Sequence, residues 1–147
     1  MEKNELIFIP FNTPSLKNSK IKTSRGIFSS KTVKKYLTAL GIQSYSSSRK
    51  IVIGYKRRPN IFEELRPQFE EALKDLEAPY KVHMHFVRNS KRSFDFNNAN
   101  QIIADLLVAH DIIEDDNMDY YLPIPLELEG NAYSVDKENP GVYIHLG

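Results

Sequence analysis

Along this chain the apolar positions switch between a period of two and a period near 3.6, and each switch marks a change of element. Glu5-Leu-Ile-Phe-Ile-Pro-Phe reads as a first strand, stopped by the turn-forming Asn12-Thr-Pro-Ser. Residues 17–26 are polar and without periodicity, and are predicted to be a mobile loop. Ser29-Ser30 caps a predicted helix over 31–40, with Val33, Tyr36, Leu37 and Leu40 at helical spacing and Gly41 ending it. Residues 43–48 are predicted as a polar linker and 49–55 as a short extended piece. A clear amphipathic helix follows over about 61–76, with Phe62, Leu65, Phe69, Ala72, Leu73 and Leu76 on its apolar face. Residues 80–87 alternate as a strand does. A second long helix covers 99–109, with Ile102, Ile103, Leu106 and Leu107 on one face and Asn98 placed as its N-cap. Pro123 and Pro125 make 118–128 an edge or irregular strand, and 141–146 is the last strand. The order β-α-(β)-α-β-α-β-β predicts an α+β fold, a small mixed sheet with helices on one face.

The length of 147 residues suits a single domain with a real core and is too short for two comfortable ones. No apolar run approaches the roughly 20 residues of a membrane helix, and the N-terminus lacks a signal-peptide pattern. The chain has no cysteine, which excludes disulfides and thiolate metal sites and fits a reducing cytoplasm. A cytoplasmic protein without membrane contact is therefore expected.

The formal net charge of +1 conceals a partition. Through residue 94 the chain has 19 Lys+Arg against 8 Asp+Glu; from Asp95 onward it has only Lys137 against 11 acids. A polyanion-binding surface beside an acidic site has this layout. The acids gather around one helix: Asp95 and the amide Asn97 stand before or at its start, and Glu114-Asp115-Asp116 follow it. Oxygen donors of this kind suit a hard cation such as Mg2+. A helix over 99–109 rises about 16 Å, while the six residues from Asp111 to Asp116 span up to roughly 20 Å when extended. Asp95, Asn97 and Asp115 or Asp116 are thus able to converge near the helix N-terminus, with Ile112 and Ile113 holding the return against the core. That end also favours anions, including phosphate. The structural alternative is a capped helix with solvated acids at both ends.

The pattern Asp95-Phe-Asn-Asn, then Gln101, Asp105 and Glu114-Asp-Asp resembles the RusA family of Holliday-junction resolvases. The family motif reads Asp-x-Asp-Asn, a Lys three residues after the Asn, an Asp in mid-helix and a paired Asp after the helix. The likeness extends to Pro10-x-x-x-Pro14-Ser15 with Asn18, to Ser30 and Tyr36, and to the basic Lys91 and Arg92 before Asp95, and it covers most of the chain. Residues 43–58 resemble an insertion relative to compact members. The resemblance implies a RusA-like α+β endonuclease domain over 1–147, a Mg2+-dependent (or Mn2+-dependent) endodeoxyribonuclease that hydrolyses branched DNA as a two-fold homodimer, often of phage origin. It assigns catalysis to Asp95, Asn97, Gln101 and Asp116, and metal binding to Asp95, Asn97, Asp115 and Asp116. Lys17, Lys20, Lys22, Arg25, Lys56, Arg57, Arg58, Lys91 and Arg92 are expected to hold DNA phosphates. Two positions depart from the motif. Asn97 stands where the family has an Asp, and Gln101 where it has a Lys. Asn keeps a carbonyl oxygen but lacks charge, and Gln hydrogen-bonds a phosphate without neutralising it. A second reading is therefore a member that grips branched DNA without cutting it, and a third is a structural or protein-interaction domain.

Other signals receive structural readings. His83 and His85 share one strand face and are expected to be structural. Phe94 and Phe96 are assigned to core packing, with base stacking as the alternative. Tyr120-Tyr121 precedes a proline-rich strand and is a candidate for a dimer edge. Asp105 either supports the site or lies on a solvated face.

Overall fold

The computed structural model describes residues 2–15, 20–23, 26–29, 31–45, 51–53 and 59–147, with side chains for 2–15, 31–42 and 59–147. Twelve elements follow in order: β1 (Ile7–Pro10), β2 (Lys20–Thr23), β3 (Gly26–Ser29), α1 (Lys31–Ala39), β4 (Ile42–Tyr45), β5 (Ile51–Ile53), α2 (Ile61–Leu73), β6 (Tyr80–Arg88), α3 (Phe96–Ala109), β7 (Tyr121–Pro125), β8 (Ser134–Val135) and β9 (Gly141–Leu146). The main sheet has five strands in the order β1-β9-β6-β7, with β8 also on β6. β9 is antiparallel to β1 and β6, whereas β7 and β8 run parallel to β6. The fold is α+β with a mixed sheet, and the proline-bearing β7 is an edge strand, where a missing N–H costs no ladder bond.

Alternation along β6 decides which face is covered. Val82, Met84 and Phe86 are almost fully buried and join α1, α2 and α3 in one core with Ile9, Val142 and Ile144. Each fully buried aliphatic or aromatic side chain contributes roughly 2 kcal/mol of transfer free energy. α3 is buried on most of its circumference, including the polar Asn100 and Asp105. A helix this enclosed is positioned tightly, and so are its polar side chains.

Three segments differ from the sequence pattern. Within the expected loop of 17–26, residues 20–23 form a strand that pairs antiparallel with 26–29, Lys20 with Ser29 and Thr23 with Gly26. The alternation Lys-Ile-Lys-Thr is strand-like, and a partner a few residues away satisfies its backbone groups. The expected linker at 43–48 begins on β4, which pairs with β5 through Ile42–Ile53 and Tyr45–Ile51. α3 starts three residues earlier than expected, with Asp95 and not Asn98 as its N-cap; the Asp95 carboxylate accepts from the Asn97 N–H at 2.8 Å. Asp is as good a cap as Asn, and its charge also suits the helix N-terminus. Ser30, Lys17, Arg25, Lys56, Arg57 and Arg58 lie outside the described residues.

The C-terminus of α3 is built with unusual care. Asp111 adopts φ 58°, the left-handed conformation where glycine is usual. Its N–H donates to the Val108 carbonyl (3.0 Å) and the Ile112 N–H to the Leu107 carbonyl (2.9 Å). The His110 carbonyl accepts from the Arg66 guanidinium of α2 at 2.6 Å, a cation at the negative end of the helix dipole. His110 also contacts Asn60, the N-cap of α2. Asn60 Oδ1 accepts from the Phe62 N–H, so its amide nitrogen must donate to His110 Nε2 (3.0 Å). His110 Nδ1 therefore carries the proton and donates to the Leu106 carbonyl at 2.7 Å. By the same logic His85 donates from Nδ1 to the Leu126 carbonyl and accepts at Nε2 from the Ser134 hydroxyl. Burial, the largest influence, pushes both imidazoles below the ordinary histidine range.

Two predictions follow from these contacts. Asp111→Gly relieves the left-handed residue and raises stability by about 0.5–1 kcal/mol in urea denaturation, whereas Asp111→Val lowers it. His85 and His110 bind protons less tightly when folded than the unfolded reference of 6.5. The stability they contribute is present above that value and declines as pH falls through it, because the unfolded chain takes up the proton first. The urea midpoint should drop between about pH 7.5 and about pH 5.5, and less so in His85→Gln or His110→Gln. An equal drop in both variants would refute this assignment.

Candidate functional site

α3 and the return from its C-terminus build the acidic site. After the left-handed turn, Ile113 is buried and Ile112 packs against the core, so the chain runs back along the helix. Asp116 thereby reaches the middle of α3. The Gln101 side-chain amide donates one hydrogen to Asp105 Oδ1 and one to Asp116 Oδ2, each at 2.9 Å. One neutral NH2 thus links two carboxylates. Gln101 and Asp105 are four residues apart and share a helix face.

Asp105 is 7% exposed, which excludes the solvated-face reading. Beneath this pair lies Tyr121, whose hydroxyl donates to Asn100 Oδ1. Burial chiefly, and then the negative charge of Asp116 and Asp105, pushes the Tyr121 phenol well above its ordinary range. It therefore stays protonated and serves as a donor. Tyr121 points into the core at 3% exposure, which excludes it from a dimer edge.

The expected ligands are distributed along the helix. Asp95 is exposed, with one carboxylate oxygen used in capping. It precedes Gln101 by six residues, about 9 Å of helix rise. Asn97 is exposed on the first turn. Asp115 accepts from the Asp116 N–H (2.7 Å) and the Asn117 amide (3.3 Å) of its own loop. The recorded contacts thus unite Asp116 with Gln101 and Asp105 at mid-helix, a different grouping from the expected meeting at the N-terminus. The donors are all oxygens, as a hard cation requires. Among the described residues, however, no three His, Asp or Glu side chains stand together as a ready ligand set.

The N-terminal end of the site is held by groups the sequence did not single out. Arg88 at the end of β6 is buried; it donates to the Thr13 carbonyl and to Ser15 Oγ (3.3 Å) and lies over the Phe94 ring at 4.7 Å. Asn98, displaced from its capping role, donates to the Ser15 carbonyl at 3.2 Å. Phe94 and Phe96 both meet Phe86 edge-on, with centroids 5.9 and 5.7 Å away. Core packing accounts for them. Lys91 and Arg92 are exposed in the loop that leads to Asp95. Lys20 and Lys22 lie on β2. The sequence carried no signal that Arg88 and Tyr121 are buried beside the site, since nothing local distinguishes a buried polar residue from an exposed one.

Replacing Gln101 with Leu removes the donor shared by two carboxylates, one of them buried. A loss of about 1–3 kcal/mol in urea denaturation is expected, partly recovered in Gln101→Leu with Asp116→Asn. Strict additivity of the two changes would show that Gln101 and Asp116 are not coupled.

No protein-family model matches this chain, and no curated protein or solved structure was found to match it.

Proposed function

We propose that this chain is a metal-dependent endonuclease of the RusA type, acting on branched DNA. The observation that supports the reading is the return of Asp116 onto α3, where it shares Gln101 with Asp105. Motif residues 15 positions apart in sequence stand within one hydrogen-bonded unit. The resemblance gives Asp95, Asn97, Asp115 and Asp116 as the oxygen donors for Mg2+ or Mn2+; Asp116 lies at mid-helix with Gln101 and Asp105, so to share one ion with Asp95 the two would have to approach along α3. When bound, such an ion lowers the pKa of a water and stabilises charge on the phosphate.

The chain's own residues contribute the remainder. Asp95 anchors the start of α3, whose N-terminal dipole favours a phosphate. Lys91 and Arg92 neutralise backbone phosphates beside it, and Lys17, Lys20, Lys22, Arg25, Lys56, Arg57 and Arg58 extend that grip. Gln101 fixes the direction of the two carboxylates, with both of its amide hydrogens committed to them. A two-fold homodimer would present one such site to each of two strands of opposite polarity.

One observation favours a second reading, a protein that binds branched DNA without cutting. A neutral amide sits between two carboxylates at the position where the resemblance expects a lysine, so residue 101 itself supplies no cation for phosphate charge. The two readings separate in one assay with a synthetic four-way junction. The endonuclease reading expects nicks that require Mg2+ or Mn2+ and that Asp95→Asn or Asp116→Asn reduces on the order of a hundredfold or more. It also expects Gln101→Lys with Asn97→Asp to raise the rate. Tight, salt-sensitive junction binding unaffected by EDTA, with no cleavage at any metal concentration, selects the binder. Absence of both cleavage and salt-sensitive binding rejects the nucleic-acid reading altogether.

A further inference from the structure

The face of the main sheet opposite the helices carries a feature that the acidic site does not use. β9 and β6 are interior strands, each paired on both sides. His83 of β6 stands directly across from His145 of β9. Their neighbours Met84 and Ile144 point into the core, so the two imidazoles project from the other face. The ring centroids are 5.5 Å apart and the planes inclined by 48°.

The chain has four histidines. His85 and His110 are committed at both ring nitrogens, to Leu126 and Ser134 and to Leu106 and Asn60. His83 and His145 hydrogen-bond no described residue, and both are partly open to solvent. Gly147 keeps the approach clear: a Cβ there would stand 2.8 Å from His145 Nε2.

We propose that His83 and His145 form a cross-strand binding site for a transition-metal ion of the Zn2+, Ni2+ or Cu2+ class, each ring giving one nitrogen. The distances carry the argument. A metal–nitrogen bond of about 2.0–2.1 Å places an imidazole centre about 3.2 Å from the metal. Two rings at the tetrahedral angle then have centres about 5.2 Å apart. The observed 5.5 Å is reached from this by opening the angle slightly. Imidazole selects these ions over Mg2+, which prefers oxygen, so the site is chemically separate from the acidic one and independent of the nuclease reading. Interior strands hold both ligands in place before the ion arrives, which reduces the ordering cost. With two protein ligands, the remaining positions are open to water or to a donor from a second molecule, and micromolar affinity is expected.

Calorimetry with the full chain tests this, using ZnCl2 or NiSO4 in an excess of Mg2+. One ion per chain is expected, with His83→Ala and His145→Ala each weakening binding about tenfold or more. Displacement of the ion by Mg2+, affinities within about twofold of wild type in both variants, or no binding at all would overturn the proposal. Where a variant fails to fold, the Cu2+ EPR spectrum of the wild-type protein decides: hyperfine coupling to two imidazole nitrogens supports the site, and coupling to fewer refutes it.

Discussion

The left-handed turn at Asp111 is the constraint from which the rest of the acidic site follows. A helix that ended one residue earlier or later would leave the chain on a different side of α3, because each residue turns the exit direction by about 100°. The paired bonds from Asp111 and Ile112 fix the exit, and Ile113 then enters the core. Arg66 and Asn60 hold this joint from α2 through His110, which also stacks on Phe62 at 4.6 Å. Glu63 in turn fixes Arg66 with two bonds, and the pairing lowers the Glu63 pKa and raises that of Arg66. The solvent around this exposed pair discounts its Coulomb energy. Its role is to aim the guanidinium at the His110 carbonyl. The placement of Asp116 is thus settled by groups that never touch it.

At the site itself, charge and hydrogen bonding pull in different directions. Asp105 is buried, and Asp116 is brought near it; two carboxylates in a partly dry environment repel. Gln101 offsets this with a donor to each, and the Tyr121 phenol beneath remains neutral. A lysine at position 101 would answer the same repulsion with charge and would also leave a cation available to a phosphate. The amide answers it with a hydrogen bond to each carboxylate and no charge of its own. This is the physical content of the difference between the two functional readings.

Strongly periodic segments were legible in the sequence. The 3.6 spacing of Phe62, Phe69 and their neighbours located α2 despite Pro67 in its middle, a residue that disfavours a helix interior by about 3 kcal/mol. The two phenylalanines are fully buried and stacked, and that burial outweighs the local penalty. Alternation located β6, and the prolines of β7 put it at an edge. The pairing of β2 with β3 and of β4 with β5 was not legible, although 49–55 was expected as a short extended piece, because pairing depends on a neighbour that local propensity does not report. The start of α3 was misplaced for a related reason: Asp95 and Asn98 are both good caps, and it is the tertiary contacts of Phe96 with Phe86 and of Asn98 with the Ser15 carbonyl that accompany the earlier start.

What the sequence determined by itself was the composition of the site and its order along the chain: acids flanking one helix, basic residues before it, and an amide where a lysine was expected. Those are properties of residue identity and spacing, which local physics carries. Tertiary structure alone decided which of these groups meet. Asp116 joins Gln101 and Asp105 at mid-helix, Asp95 stays at the cap, and His83 finds His145, 62 residues away, across two interior strands. Contacts between distant residues depend on how helices terminate and how strands register. Those outcomes are set by burial and hydrogen-bond satisfaction summed over the whole fold, which no single segment encodes.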